Sequence, residues 1–205
     1  MTVEHVEVLV EEPSVEAALR SLLPRMLGGV SFEVYPHLCK QDLLARLPNR
    51  LRGYSHWLPA TWRVVVVVDR DDDDCHALKG RLERIAADSG LPTRTRPGRG
   101  RWSVANRLAI EELEAWFFGD WDAVRAAYPR VPETIPAKEK YRDPDAISGG
   151  TWEALQRVLQ GAGYFAGGIR KIELAGAIAV HMAPGRNRSH SFQVFRDALQ
   201  ECAAQ

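Results

Sequence analysis

The first hundred positions of the chain alternate between short apolar runs and longer segments in which apolar residues have helical spacing. A pattern of alternating valines occupies positions 5–10, and further strand patterns occupy positions 30–35 and 63–69. Each strand pattern is followed by a segment whose apolar residues recur at intervals of three and four, the spacing of one helix face. The second of these helical segments is expected to be disturbed at Pro48. This βαβαβα order predicts an α/β domain with a mostly parallel sheet flanked by helices, and a short further strand is predicted over 93–96.

The third strand pattern is the most apolar part of the chain and ends abruptly in acidic residues. Five consecutive valines at positions 64–68 favour a strand that is buried on both faces, as in a parallel sheet covered by helices. Ligands of such sheets bind at the carboxyl ends of the strands. If the strand continues past the valines, Asp69 and Asp71 point to the same side, about 7 Å apart. Two hard oxygen donors at this spacing predict a site for a divalent cation.

Helix capping is the alternative explanation for the acidic run. A helix is predicted to begin near Cys75, and one of Asp72, Asp73 and Asp74 is expected to cap it. Capping needs a single carboxylate, and the others repel one another unless a cation neutralises them, so the run favours a metal site. The run does not fit an EF-hand, because Asp74 stands at the glycine position and Gly80 at the bidentate glutamate position.

Two glutamates are further candidates for this site. Glu11 follows the first strand, so in a parallel sheet it emerges at the same edge as Asp69 and Asp71. Glu114 borders the apolar face of a helix predicted over 110–118, where an unpaired carboxylate is costly. The alternatives are a helix-start acid for Glu11 and an ordinary rim glutamate for Glu114.

Beyond position 105 the apolar spacing is helical. Helices are predicted at about 110–118, 121–128, 151–162, 168–182 and 191–203. The intervening segment 129–150 is rich in Pro, Lys, Asp and Gly, and it is either a functional loop or a plain flexible one. We therefore expect two parts: an α/β core over 1–108, and a helical C-terminal extension over 109–205 that packs on this core.

Composition sets limits on function without choosing one. The 205 residues include 27 basic and 27 acidic side chains, so no overall charge attracts the chain to nucleic acid or membrane. The three cysteines have no zinc-binding or disulfide spacing, which predicts a reducing compartment. Without a run of about 18 apolar residues or a signal peptide, a cytoplasmic protein with no membrane contact is expected. Patterns of serine hydrolases, P-loop NTPases and dinucleotide-binding proteins are absent from the sequence.

Basic side chains cluster in several irregular segments. Arg99 and Arg101 stand in a glycine-containing loop, and Arg186 and Arg188 flank an asparagine near the end of the chain. Arginines of this kind suit contacts with phosphate groups of a substrate. Lys138, Lys140 and Arg142 are additional candidates for such contacts. Solvated surface charge is the alternative for all of them.

Taken together, these motifs resemble known families. The glutamate after the first strand and the Asp69-Arg70-Asp71 motif after the valine strand, with Asp73 as a third acid, resemble the Toprim fold of topoisomerases, bacterial primases and OLD nucleases. Over nearly its whole length the chain resembles the bacterial family called domain of unknown function 4276. The segments that carry this second resemblance are Leu9-Val10-Glu11-Glu12-Pro13-Ser14, Val68-Asp69-Arg70-Asp71-Asp72-Asp73, Glu111-Glu112-Leu113-Glu114-Ala115-Trp116-Phe117 and Asn187-Arg188-Ser189.

The Toprim resemblance implies a metal-dependent nuclease. Glu11, Asp69 and Asp71 would be the catalytic residues and would hold Mg²⁺ or Mn²⁺, with Asp73 and Glu114 holding a second ion or its waters. Glu11 would double as the general base. The arginines at 99, 101, 186 and 188 would bind the backbone of DNA or RNA. By analogy with OLD systems, an ATPase partner would control the nuclease, in defence against phage.

The chain departs from the Toprim pattern in two respects. Glu12 stands where Toprim proteins usually have a glycine, and nothing matches a topoisomerase tyrosine region or a primase zinc domain. The resemblance thus favours a nuclease over strand passage or primer synthesis. Two other functions stay open: a non-catalytic metal-binding module that serves as a regulatory subunit or binds nucleic acid, and a transferase or phosphatase that handles a nucleotide.

Overall fold

A computed structural model describes residues 2–99 and 101–204. The strands are β1 (His5–Val10), β2 (Ser31–Pro36), β3 (Trp62–Asp69) and β4 (Val104–Ala109). The α-helices are α1 (Pro13–Leu27), α2 (Lys40–Trp57), α3 (Cys75–Asp88), α4 (Glu114–Gly119), α5 (Trp121–Ala127), α6 (Thr151–Gly161), α7 (Lys171–Ala179) and α8 (His190–Ala204). Three short 3-10 helices, Ile135–Ala137, Glu139–Tyr141 and Pro144–Ala146, lie in the segment between α5 and α6.

The four strands form one sheet in the order β2-β1-β3-β4, and every neighbouring pair is parallel. The helix after each of the first three strands covers a face of the sheet, as parallel crossovers require. The predicted α/β fold, with a mostly parallel sheet flanked by helices, is confirmed. The second strand and the valine strand lie within a residue or two of their predicted positions.

The valine run is apolar throughout because both of its faces are covered. Val65 and Val67 belong to a large hydrophobic cluster with α1 and the C-terminal helices, whereas Val64, Val66 and Val68 pack against residues of α2 and α3. All five are at most 2% exposed. Successive side chains of a strand point to opposite faces, so each face receives a valine at every second position.

The fourth strand corrects the prediction for positions 93–118. A short strand was expected at 93–96, but there only Thr93 forms an isolated bridge, and the strand that pairs with β3 is β4. The predicted helix over 110–118 begins only at Glu114. Strand β4 has no apolar run in the sequence, because two of its buried residues are polar. Asn106 donates to Glu83 of α3 at 2.9 Å, and Arg107 is also buried.

Two helices continue past internal proline residues. Helix α2 was expected to be disturbed at Pro48 but continues to Trp57, with Leu51 and Tyr54 extending its buried face. Helix α1 likewise passes Pro24 and ends at Gly28, which takes a left-handed φ of 59°. Tertiary packing of an apolar face outweighs the lost backbone hydrogen bond in both cases.

The C-terminal helices cover the α1 side of the sheet. Helix α7 packs along α1, and α8 contacts both α1 and the edge strand β4. One hydrophobic cluster extends from Val8 in the sheet to Phe195 in α8, so the helical part shares its core with the sheet. The division at residue 108 itself stays a prediction. None of the described helices is long and apolar enough to cross a membrane.

Arg107 offers a test of the energetics of this core. Its Nη1 donates to the Asn106 carbonyl at 2.9 Å, but its Nε and Nη2 are buried and find no acceptor among the described residues. Burial, with the charge of Arg94 nearby, lowers the pKa of Arg107 to about 10. We expect Arg107→Met to raise the free energy of unfolding by about 1 kcal/mol or more, because a desolvated cation is replaced by an apolar chain.

Urea unfolding followed by circular dichroism measures this change. The matched control is Arg52→Met on the exposed surface of α2, expected to stay within about 0.5 kcal/mol of wild type. A lower unfolding free energy for Arg107→Met would mean that the guanidinium contributes net stability in place.

Candidate active site

The ends of β1 and β3 bring the first two predicted acids together. The two strands pair in parallel, with Val10 opposite Val67, and Glu11 directly follows Val10. Glu11 therefore lies level with the last residues of β3, and its Oε2 accepts a hydrogen bond from the backbone N–H of Asp69 at 3.3 Å. The predicted meeting of these two residues at the carboxyl edge of the sheet is observed.

Both carboxyl groups are buried. Glu11 is 8% exposed and Asp69 is 5% exposed. Burial, reinforced by the charge of Asp71, raises the pKa of Glu11 to about 7. Burial also raises the pKa of Asp69 far above its usual value, and Glu11 and Glu114 add to the shift. The surrounding carboxylates make ionisation of Asp69 harder, which is the pattern of a site with too few positive charges.

Glu114 is the third buried acid. It is the first residue of α4, is 2% exposed, and has a pKa raised by burial to about 7, with Lys171 acting in the opposite direction. The rim-glutamate alternative is thus excluded for Glu114. Its charge acts on Asp69, so carboxyl groups that follow β1, end β3 and begin α4 share one region of low dielectric constant.

Asp71 takes a different direction from the one predicted. The strand ends at Asp69, and Asp71 has a left-handed backbone with a φ of 48°, so the alternation of side chains does not continue to it. Its Oδ2 lies 2.6 Å from Nζ of Lys40, which also contacts Oδ2 of Asp73 at 2.9 Å. Asp71 and Asp73 therefore pair with a lysine of α2, although the charge of Asp71 still raises the pKa of Glu11.

Other acids near the sheet edge have structural roles. Asp74 caps α3 by accepting from the backbone N–H of Ala77 at 2.8 Å, as predicted for one member of the acidic run. Glu111 pairs with Arg70. Glu112 accepts from Oγ1 of Thr151 at 3.0 Å and from the backbone N–H of Trp152 at 2.8 Å, which fixes the start of α6 beside the sheet edge.

An acidic cavity of about 530 Å³ opens next to these residues. It is lined by Asp71, Asp72, Glu111, Glu112, Gly149, Gly150 and Glu153. Gly150 has a φ of 81°, a left-handed backbone conformation that favours glycine at this wall. A cavity lined by carboxylates and glycines attracts cations and repels a bare phosphate group.

Two lysines that were not predicted from the sequence bring positive charge to the acidic edge of the sheet. Lys40 begins α2 on the same sheet edge, and its position after β2 was a usable signal. Lys171 begins α7, with its Nζ 4.0 Å from Oε1 of Glu12 and 4.5 Å from the centre of the Trp152 ring. Burial lowers the pKa of Lys171, but Glu114 and Glu12 outweigh that effect and hold it above its usual value. No local sequence pattern indicates this second lysine.

The donor chemistry fits Mg²⁺ or Mn²⁺, because both prefer carboxylate oxygens. The side-chain positions in the structure, however, are not those of a formed metal site. Within residues 2–99 and 101–204, no group of three or more His, Cys, Asp or Glu side chains is arranged to hold a metal ion. A metal bound by Glu11, Asp69 and Asp71 would compete with Lys40 for the Asp71 carboxylate.

The structure does not bring Arg99 and Arg101 to the acidic edge. Both precede β4, and Arg101 influences the pKa of Arg63, the second residue of β3. Asp69 lies six positions after Arg63 on the same strand, a distance of about 20 Å. Arg99 has a left-handed φ of 48° in the same loop. These two arginines therefore belong to the amino end of the sheet.

Arg186 and Arg188 line a surface pocket together with Asp120 and Asp122. Nε of Arg186 donates to Oδ1 of the buried Asp120 at 2.7 Å, and the backbone N–H of Arg188 donates to the carbonyl of Gly119 at 2.9 Å. These contacts tie the segment before α8 to the junction of α4 and α5. The intervening Asn187 donates to the Trp116 carbonyl at 2.8 Å, so this motif has a structural duty.

The buried acids predict a pH-dependent stability. The folded-state pKa of Glu114 lies above its usual 4.5, so the folded chain binds more protons than the unfolded chain between about pH 4.5 and pH 7. Stability from this group is present below pH 4.5 and lost as the pH rises through 7. Glu114→Gln cannot ionise, and we expect it to lose less stability than wild type between about pH 5 and pH 8, by on the order of 3 kcal/mol.

Urea unfolding at both pH values in the presence of a chelator checks this expectation. Glu133→Gln, with a side chain that is 77% exposed, is the control and should follow wild type. Equal pH dependence in Glu114→Gln and wild type would show that the carboxyl group is not destabilised in the fold.

Comparison with known proteins gives one family and one solved structure. No curated protein matches the chain. The C-terminal region of the OLD protein from Xanthomonas campestris pv. campestris matches at 16% identity and a TM-score of 0.41, over 96% of this chain and 93% of that one. The family model described as Domain of unknown function (DUF4276) matches residues 10–200. The chain belongs to this DUF4276 family, as its sequence motifs predicted.

Proposed function

We propose that this protein is a divalent-metal-dependent nuclease that hydrolyses phosphodiester bonds at the carboxyl edge of its sheet. The observation that carries the proposal is the burial of Glu11, Asp69 and Glu114 in one region, where the charges of Glu11 and Glu114 raise the pKa of Asp69. Buried carboxylates of this kind are costly unless a cation joins them, and perturbed acids concentrate at functional sites. The resemblance of the Glu11 and Asp69-Arg70-Asp71 motifs to Toprim nucleases supports the same function.

Mg²⁺ or Mn²⁺ would be held by Glu11, Asp69 and Asp71. Asp73 and Glu114 are our candidates for a second ion or for the waters around the first. When bound, the metal would polarise a phosphoryl oxygen and lower the pKa of the attacking water. The acidic cavity beside the site supports this assignment, because phosphate can approach so many carboxylates only after their charge has been offset.

The chain's own residues would handle the proton and the charge. Glu11 is our candidate general base, since it stands at the sheet edge with one oxygen held by the Asp69 amide. Lys40, once released from Asp71, would donate to a phosphate oxygen. Roles for Arg99, Arg101, Arg186 and Arg188 in binding the nucleic acid backbone stay predictions, as do an ATPase partner and a part in anti-phage defence.

A non-catalytic metal-binding module, regulatory or nucleic-acid-binding, is the second candidate. The observation that favours it is the pairing of Lys40 with Asp71 and Asp73, which offsets charge at this edge without a metal. Such a module would bind nucleic acid or a partner protein and turn over no substrate. The two candidates differ in the fate of the nucleic acid, which the next experiment measures.

Incubation with Mn²⁺ and plasmid DNA, single-stranded DNA or RNA tests the nuclease. We expect cleavage by the wild type and a loss of at least about a hundredfold in rate for Asp69→Asn and Glu11→Gln, because each removes a metal ligand. Glu133→Gln should cleave like the wild type, and circular dichroism checks that every variant folds. Metal binding by calorimetry with no cleavage of any nucleic acid would favour the module, and cleavage that persists in both variants would remove these residues from the centre.

The Lys40 contact predicts a second measurable effect. Lys40→Met removes a cation 2.6 Å from Oδ2 of Asp71, so we expect Mn²⁺ to bind about tenfold more tightly. Electron paramagnetic resonance of free Mn²⁺ gives the affinity. Adding Asp71→Asn to Lys40→Met should abolish the gain, because the two changes act through one pair. An unchanged affinity in Lys40→Met would exclude Asp71 as a ligand.

A further inference from the structure

A second cavity, of about 380 Å³, lies at the other end of α6 from the acidic one and has the opposite charge. We propose that it binds the phosphodiester backbone of a single-stranded nucleic acid. We call it the basic pocket. Its lining residues are Arg130, Pro132, Ile135, Lys138, Lys140, Tyr141, Arg157, Val158, Gly161 and Ala162.

Four cations converge on this pocket from three separate segments. Arg130 follows α5, Lys138 and Lys140 belong to the 3-10 region, and Arg157 lies on α6. No carboxylate lines the pocket, and no ion pair joins any of the four to an acid in the part of the chain that the structure describes. Side chains of like charge repel one another, so this convergence creates a positive potential that an anion would relieve.

Two of the cations are held in place by aromatic rings. The Arg130 guanidinium lies 4.1 Å from the centre of the Tyr164 ring and donates to the Gly163 carbonyl at 2.8 Å. Lys140 Nζ lies 4.6 Å from the centre of the Tyr141 ring. Cations fixed in this way lose less freedom on binding a ligand. The pocket is therefore prepared for phosphate groups.

The rest of the pocket is apolar, and this feature favours a single strand over a duplex. Pro132, Ile135, Val158 and Ala162 contribute carbon surface between the cations. A base that has left its stack can rest on such a surface while its phosphates contact the cations. In a duplex the bases stay paired and only the backbone is presented, so the apolar lining would remain unused.

Helix α6 joins the basic pocket to the candidate active site. Its first residue, Thr151, contacts Glu112, and its last residue, Gly161, lines the basic pocket. The helix is 11 residues long, which corresponds to about 16 Å. That length matches about five nucleotides at the rise of a stacked strand, and fewer if the strand is extended. Binding in the pocket is independent of catalysis, and only this link between the sites rests on the proposed function.

Binding of a fluorescein-labelled DNA single strand of about 20 nucleotides, measured by anisotropy in a chelating buffer, tests the proposal. We expect Lys138→Gln/Arg157→Gln to weaken binding by about tenfold or more. The slope of log affinity against log salt should fall by about 1.4, because two cations no longer neutralise phosphates. The control is Arg52→Gln/Arg81→Gln, which removes the same charge from exposed positions on α2 and α3 and should change affinity by less than about twofold.

Other outcomes overturn the proposal. An equal loss in the control pair would mean that general charge, and not the pocket, attracts the strand. A duplex of the same sequence that binds as tightly, with the same loss in the pocket variant, would assign the pocket to duplex backbone. Repeating the titration with Asp69→Asn keeps the two hypotheses apart: unchanged binding supports the pocket even if no nuclease activity exists, and full cleavage activity in the pocket variant would overturn the link.

Discussion

The parallel pairing of β1 with β3 is the constraint on which the candidate site depends. Because Val10 lies opposite Val67, the residue after β1 and the residue that ends β3 meet side by side at one edge. Glu11 and Asp69 are thus buried by the sheet itself, and their charge has to be balanced by groups from elsewhere.

Those groups come from distant parts of the chain. Lys40 belongs to α2 on one face of the sheet, and Lys171 to α7, which packs along α1 on the other. Glu114 and Glu112 reach the same edge from the segment after β4, and Glu112 also fixes the start of α6. The edge is therefore assembled jointly by the sheet and the C-terminal helices, in agreement with their shared core.

Local pattern made the architecture and half of the acidic site predictable. Consecutive valines and the acids that follow each strand identify β3, Glu11 and Asp69. Burial of a strand is visible as an apolar run, and the residues at its carboxyl end follow that run directly in the sequence. Strand β4 was missed because Asn106 and Arg107 are buried polar residues with distant partners. The direction of Asp71 depends on a left-handed backbone and on Lys40, 31 positions away, and neither leaves a local signal. For the same reason charge alone did not reveal that Arg101 lies at the amino end of the sheet.

The contact of Lys40 with Asp71 and Asp73 has a consequence for how the chain reaches its native state. In many small metal sites the ligands repel one another until the ion arrives, so folding waits for metal. Here Lys40 offsets the charge of Asp71 and Asp73 as soon as α2 packs on the sheet. If the edge binds an ion as proposed, folding would not wait for metal supply, and loading or loss of the ion would be an exchange on a finished scaffold.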